Sequence, residues 1–412
     1  MTEPSELTEL TEPSDLTEPS DLTEPSDLTE RTAPSEPAGT GGLPGLLAQL
    51  RRLAGLPLER GETLPPQAYT SPAWYERERE QIFGRDWLCV ARSDEVAAPG
   101  DYLRVDVAGH PLVITRDERG ELHALSRVCR HRFMDVLPPE TTPERGSLTR
   151  LTCPYHTWTY RLDGRYAGQL AGAPLMSKVD FGPRERAACR LPQARVTQWQ
   201  GFVLVCLDPD APPLEPQLAG LAERLAAYGL AEWKTVAVEA WQDVPANWKV
   251  AVENGSENYH HMGTHAQTLE PVLPGRTTVL DECEGRWFTM FTPYAQAPEA
   301  GPPQGMLLAG LFPQCVLALL PDSAVWVRWL PTGPATHAAR FGLLVPPGTE
   351  LSPEQLAEAR ESVRVLQGED LVAVQGVQRG LESSPGPSSG RFCHLERPLW
   401  QFQRYLAGRL LP

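Results

Sequence analysis

The chain has 412 residues, 41% of them hydrophobic, enough to bury the cores of two packed domains, and a formal net charge of −16. Eleven carboxylates against one arginine in residues 1–40 account for −10 of that charge, so the body is only mildly acidic, and nucleic acid, whose phosphates need a concentrated basic surface, is excluded as an expected partner. No apolar run is long enough to span a membrane, the N-terminus lacks the basic and apolar regions of a secretory leader, and eight cysteines are too thinly spread for a disulfide framework, which predicts a cytoplasmic protein with mostly reduced thiols.

Along residues 10–27 the hexapeptide Leu-Thr-Glu-Pro-Ser-Asp occurs three times. A proline every sixth residue among like charges supports neither helix nor sheet, so residues 1–42 are predicted to be a disordered acidic tail. Leu46, Leu47, Leu50, Leu53 and Ala54 are spaced for a short amphipathic helix, and Ser71-Pro72 opens a second helix expected to reach Glu80. From Trp87 to Leu207 short β-rich runs such as Leu103-Arg-Val-Asp-Val and Pro111-Leu-Val-Ile-Thr alternate with Gly, Pro and Asp turns, the pattern of a compact antiparallel domain. Beyond Pro212 helices alternate with strands that include 324–330 and 339–345. Ser352-Pro353-Glu354-Gln355 then reads as a capping box that starts a long helix toward Gly380. The fold class expected is α+β.

Two clusters carry chemistry. Cys129-Arg-His131 and Cys153-Pro-Tyr-His156, with 21 residues between them, bring together two thiolates and two imidazoles. As a ligand count this set suits structural zinc as well as an iron–sulfur cluster. Further on, Glu257-Asn-Tyr-His260-His261-Met-Gly-Thr-His265 places three of the nine histidines within six positions. On a regular helix i and i+4 coincide, so spacing alone pairs His261 with His265.

The context Val128-Cys-Arg-His-Arg and Cys153-Pro-Tyr-His-Thr-Trp-Thr-Tyr-Arg-Leu-Asp-Gly164 resembles the α subunits of Rieske non-haem iron oxygenases. The gap between the two halves is a few residues longer than is usual there, and the excess falls in the turn-rich segment 138–146, where an insertion should leave the ligands unmoved. The resemblance, which covers residue 64 to the end, implies a [2Fe-2S] cluster held by Cys129, His131, Cys153 and His156. It also implies the pattern Glu/Asp-x-Tyr-His-x4-His, which selects His260 and His265 as ligands of a mononuclear Fe(II), leaves His261 as the fallback, and requires the helix to break near Gly263. Its Glu-Asp-(x)n-Val-Gln-x-Gly-Leu segment matches Glu369-Asp370 through Leu381 and implies Asp370 as the third ligand. A facial triad of this kind leaves three positions open for dioxygen and substrate. Asn254 and Glu257 are the candidate catalytic residues, Glu257 as the carboxylate that links His260 to the cluster histidine His156 of an adjacent subunit.

Domains implied in this way are residues 43–85, helices packing on the catalytic domain; 86–207, an antiparallel β Rieske domain; and 208–412, a helix-grip catalytic domain of the START/Bet v 1 kind. The resemblance further implies a homotrimer fed by a separate NAD(P)H-dependent reductase of flavin or ferredoxin type, acting on a small molecule and O2. Glu at position 257, where ring dihydroxylating members carry Asp, points to N-methyl oxidation of a quaternary amine such as a betaine or carnitine. Trp287, Phe288, Phe291, Tyr294, Trp326 and Trp329 are candidates to hold such a cation. Aromatic hydroxylation or O-demethylation is the alternative chemistry. A Rieske electron carrier or a zinc-stabilised binding protein, needing neither His265 nor Asp370, is the alternative from another class.

Overall fold

The computed structural model describes residues 42–169, 179–281, 285–296, 304–383 and 389–412; the acidic repeat and Cys283 lie outside them. The first element described is helix α1 (Leu43–Ala54), whose Leu46, Leu50 and Leu53 are buried, as the apolar spacing predicts. A short α2 (Gln67–Thr70) precedes α3 (Pro72–Glu78), which starts as expected with Pro72 in its first turn and the Ser71 hydroxyl accepting from the Trp74 N–H at 3.4 Å. The α-helix stops two residues short of Glu80. The chain widens into a π turn over Arg79–Phe83, carrying Ile82 and Phe83 into the core, where neither is exposed to solvent.

Among the described residues ten strands follow: β1 (Leu88–Arg92), β2 (Asp101–Val107), β3 (His110–Arg116), β4 (Leu122–Ser126), β5 (Arg145–Ser147), β6 (Leu151–Thr152), β7 (Trp158–Tyr160), β8 (Tyr166–Gln169), β9 (Gln193–Trp199) and β10 (Phe202–Cys206). Seven form an antiparallel sheet in the order β1-β10-β9-β4-β3-β2-β5, and β6-β7-β8 form a small second sheet. Segment 138–146 is not all loop. Its end enters β5 and pairs with β2, Tyr102 opposite Gly146 and Leu103 opposite Arg145, because the exposed edge of β2 offers free backbone groups.

A second seven-stranded antiparallel sheet comprises β11 (Lys234–Val244), β12 (Val279–Leu280), β13 (Trp287–Pro293), β14 (Gly305–Leu311), β15 (Cys315–Leu319), β16 (Ala324–Gly333) and β17 (Thr336–Val345), in the order β11-β17-β16-β15-β14-β13-β12. Helix α4 (Pro183–Ala188) precedes β9, α5 (Ala219–Leu225) precedes β11 and α6 (Trp248–Asn254) follows it; α7 (Pro353–Glu382) and α8 (Arg397–Leu410) close the chain. Helix α7 runs 30 residues from the expected capping box, the Ser352 hydroxyl accepting from the Gln355 N–H at 3.2 Å and the Gln355 side-chain oxygen from the Ser352 N–H at 2.9 Å. Helix α8 was not anticipated. Its Leu399, Phe402, Leu406 and Leu410 are buried at helical spacing, and Arg409 donates to the buried Asp86 at 2.8 Å.

Alternation along the strands decides what each face of the second sheet does. Leu311, Cys315, Leu317, Trp326 and Leu344 point to one face and pack against Trp87, Phe202, Leu204 and Leu218. Leu308, Val316, Val327, Trp329 and Ala339 point to the other, toward α6 and α7. Among the described residues no helix is long and apolar enough to cross a membrane.

Candidate active site

The two Cys–His segments occupy the β4–β5 and β6–β7 connections, and their backbones are the same despite unequal Cys-to-His spacing. Phe133 N–H donates to Cys129 O and Thr157 N–H to Cys153 O, each at 3.0 Å; Cys129 N–H donates to Met134 O and Cys153 N–H to Trp158 O, each at 2.8 Å. Phe133 and Thr157 both take positive φ, 62° and 56°, a conformation that costs a non-glycine residue of order 1 kcal/mol and is kept because the paired turns point two ligand-bearing arms at one another. Both cysteines are buried, and burial followed by the neighbouring Cys129 thiol pushes the Cys153 thiol up. The imidazoles of His131 and His156 meet at 4.7 Å between ring centroids, and His131 stacks on Trp158 at 4.7 Å with 8° between planes. His131 Nδ1 is buried and makes no hydrogen bond among the described residues, a donor set with an open bond that fits a metal cluster. Burial and then the adjacent His156 hold His131 below its ordinary pKa. The Tyr160 hydroxyl lies 3.1 Å from Cys129 Sγ and accepts from the Arg130 N–H at 3.0 Å. Phe133 (76% exposed) and Tyr155 (54%) flank the site on its open side.

The second site forms where α6 ends. Gly255 closes the helix, and Glu257 lies in the loop rather than on a regular helix; a single 3-10 turn, Tyr259–Met262, then stops at Gly263. The break expected at Gly263 is thus present, and it sends the three imidazoles in different directions. His261 turns away, its Nδ1 3.0 Å from Leu273 O, while burial, chiefly, pushes its pKa down to about 4. His260 and His265 face Asp370 on α7, with Nε2 to Oδ1 distances of 3.5 and 3.0 Å. One donor atom from each of the three lies within 4.8 Å of the others.

Each histidine's other nitrogen is engaged. His260 Nδ1 sits 2.8 Å from Glu257 Oε1, whose second oxygen accepts the His260 N–H at 3.0 Å; His265 Nδ1 sits 2.7 Å from Glu369 Oε2, which also accepts from the Thr268 hydroxyl at 2.7 Å. A carboxylate on Nδ1 fixes the tautomer that leaves Nε2 free for a metal. Burial works against a proton on His265, but Asp370 and then Glu369 outweigh it and hold its pKa above the usual value. The role of Glu369 was invisible in sequence, where it reads only as the neighbour of Asp370.

The triad sits in a cavity of about 200 Å³. Helix α7 contributes Val363, Leu366, Gln367, Asp370, Leu371 and Val374, all on one face. Asn254, Asn258 and Glu257 line it from the end of α6. Of the six aromatic residues proposed to hold a cation, only Trp329 reaches the cavity. Trp326, three positions earlier, necessarily points to the opposite face and is fully buried there; Phe288 packs beneath Gly310, where a Cβ would meet its ring at 1.9 Å. Trp241 on β11 lines the cavity and was missed.

A Rieske [2Fe-2S] domain matches residues 86–181, and the catalytic domain of a ring hydroxylating alpha subunit matches residues 230–411. The chain belongs to the Rieske non-haem iron oxygenase α-subunit family, α+β proteins that join a β domain holding a [2Fe-2S] cluster to a catalytic domain binding mononuclear iron. Among its relatives, the carnitine monooxygenase oxygenase subunit of Escherichia coli (strain K12) is 30% identical over 337 residues, 80% of this chain and 87% of that one. The glycine betaine monooxygenase oxygenase subunit of Chromohalobacter salexigens is 36% identical over 211 residues, 51% of this chain and 45% of that one. The chain spans about half the length of several curated relatives it matches. A quaternary ammonium Rieske monooxygenase solved with L-carnitine superposes with a TM-score of 0.72 at 28% identity, over 85% of this chain and 96% of the other. Naphthalene 1,2-dioxygenase from Rhodococcus sp. shares the fold at 0.70 and 21% identity, over 85% and 94% of the two chains.

Proposed function

We propose that this chain is the terminal oxygenase component of a Rieske system that hydroxylates an N-methyl carbon of a small quaternary amine such as a betaine or carnitine. In this reading Cys129, His131, Cys153 and His156 hold the cluster, and His260, His265 and Asp370 hold the ferrous ion. Residues 86–207 form the Rieske domain, 208–412 the catalytic helix-grip domain, and 43–85 the helices packed on it. The observation that carries the proposal is the convergence of His260, His265 and Asp370 at an apolar cavity, with both histidine Nδ1 atoms committed to carboxylates.

When bound, the cluster supplies single electrons and the ferrous ion activates dioxygen. The residues do the rest. Glu257 and Glu369 hold the Nδ1 protons of His260 and His265, so neither imidazole competes for the protons the reaction consumes. Leu308, Val316, Val327 and Leu371 keep water from the reacting carbon. In the balanced reaction the N-methyl ammonium ion, O2, two electrons and two protons give the N-hydroxymethyl ammonium ion and water. This hemiaminal then loses formaldehyde and a proton to leave the demethylated amine. The electrons come from NAD(P)H through a separate reductase, and Glu257 connects His260 to His156 of an adjacent subunit in a homotrimer. The apolar cavity lining favours a second reading, hydroxylation of an aromatic substrate.

Substrate-dependent oxygen uptake by the iron-loaded protein with a reductase tests both. Formaldehyde released in step with oxygen consumed is expected with quaternary amines. Uptake only with small aromatic compounds would replace the first reading with the second, and no uptake with either class would overturn both.

A further inference from the structure

Trp241 and Trp329 lie on strands that are not neighbours, yet each is paired across the sheet with the same residue. Trp241 on β11 stands opposite Ala339 on β17, and Trp329 on β16 stands opposite Ala339 from the other side. Directly opposed residues share a face, and two strand spacings separate the indoles' attachment points by about 10 Å. The result is a slot with two indole walls and the smallest chiral side chain as its floor, in the cavity that also holds the triad. Both walls are braced. Trp241 meets Phe341 edge-on at 5.3 Å between ring centroids, and Trp329 lies so close to Gly255 that a Cβ there would fall 2.5 Å from its ring.

The cavity offers no cationic side chain to an anion. Among its described lining residues there is no lysine or arginine. His337, at its edge, is buried with Nδ1 spent on Ala246 O at 2.7 Å, and burial pushes its pKa down to about 4, so it is neutral. The apolar walls are Leu, Val, Met and Ala, and the carboxylates lining it, Glu257 and Asp370, repel an anion. A buried carboxylate would find, among the described lining residues, only the neutral amides of Asn254, Asn258 and Gln367 to donate to it, a costly burial without a cationic side chain beside it, whereas indole faces attract a quaternary cation, most strongly when water is excluded.

Resting on the oxygenase reading above, we infer that Trp241 and Trp329 are the specificity-determining residues, holding a trimethylammonium group over Ala339, and that the rest of the substrate is uncharged. Carboxylate zwitterions such as glycine betaine and carnitine are therefore disfavoured, which narrows the substrate class named above to quaternary amines that carry no second charge.

The test is calorimetric titration of the iron-loaded full chain with three probes of matched shape: choline, its neutral isostere 3,3-dimethylbutan-1-ol, and glycine betaine. Choline is expected to bind about tenfold or more tighter than either of the others. Trp241→Leu and Trp329→Leu should each weaken choline about tenfold and the neutral alcohol by less than about threefold, with iron content unchanged; Trp329→Phe, which keeps an aromatic face, should recover most of the loss. Equal affinity for choline and its isostere, or tighter binding of glycine betaine, would overturn the inference. Because binding is read without turnover, tight choline binding with no choline-dependent oxygen uptake supports the slot and refutes the N-methyl hydroxylation reading instead.

Discussion

Glu78 and Lys249 form an ion pair at 2.7 Å with neither side chain exposed, joining α3 to α6. Two indole N–H groups add to the same carboxylate, Trp74 Nε1 at 2.7 Å and Trp248 Nε1 at 2.9 Å. Burial pulls the Lys249 amine below its ordinary range, opposed by Glu78. At an effective dielectric of about 20 a contact near 3 Å is worth roughly 5–6 kcal/mol of attraction, most of it offset by desolvation of both groups. Lys249→Met removes the attraction but leaves the desolvated carboxylate with only its two indoles, so a loss of about 3–5 kcal/mol is expected, seen as a fall in Tm on the order of 5–10 °C. Glu78→Gln should cost a similar amount by stranding the ammonium. The double variant buries no net charge and should recover roughly 3 kcal/mol relative to the sum of the singles. Chemical denaturation of all four proteins closes the cycle. Additive losses, or a Lys249→Met protein within about 0.5 kcal/mol of wild type, would refute the reasoning. Because α6 leads directly into Asn254 and Glu257, the single variants should also bind mononuclear iron more weakly.

Asp370→Ala should abolish mononuclear iron while the cluster's visible spectrum persists, and Glu369→Ala should lower iron affinity by about 10–100-fold without abolishing it, because it only orients His265; metal analysis showing equal losses would move the third ligand. Glu257→Gln is expected to retain both metal centres yet slow cluster reoxidation in stopped flow with substrate and oxygen, since the amide NH2 that replaces one carboxylate oxygen cannot accept and the two rings are no longer held equally; wild-type rates would exclude the bridging role. Tyr160→Phe removes the hydroxyl 3.1 Å from Cys129 Sγ, which a cluster-bound thiolate would accept from, and should lower the cluster's reduction potential; an unchanged potential in protein-film voltammetry would count against that contact. His337 has a folded pKa of about 4 against 6.5 ordinarily. The unfolded chain binds the extra proton first, so this group's contribution is complete above pH 6.5 and about 3 kcal/mol of it is lost as pH falls toward 4; the stability of His337→Gln, measured from pH 8 to pH 4, should fall less steeply than that of wild type.

The candidate ligand segments were legible because each is contiguous and chemically distinctive. Two Cys–His turns and a histidine triplet are set by local spacing, as is the capping box that starts α7. Which histidines converge was not legible from spacing. A regular helix favours His261 with His265, and only the ending of α6 at Gly255 and the short turn stopping at Gly263 bring His260 into place. The candidate third ligand, Asp370, lies more than a hundred residues away and meets the histidines only because α7 packs over the same end of the sheet. Glu369 and Asp370 are adjacent letters, but the helix aims one at Nδ1 and the other at Nε2 of the same imidazole. Aromatic content did not identify the cavity either: strand alternation sends Trp326 into the opposite core and Trp329 into the site, and sheet order, which no local pattern encodes, sets Trp241 beside the same alanine. Residue type and local spacing determined what chemistry this protein can hold, whereas the pairing of distant strands and one helix's crossing decided which side chains share the space where it happens, because direction in three dimensions is a property of the packed chain.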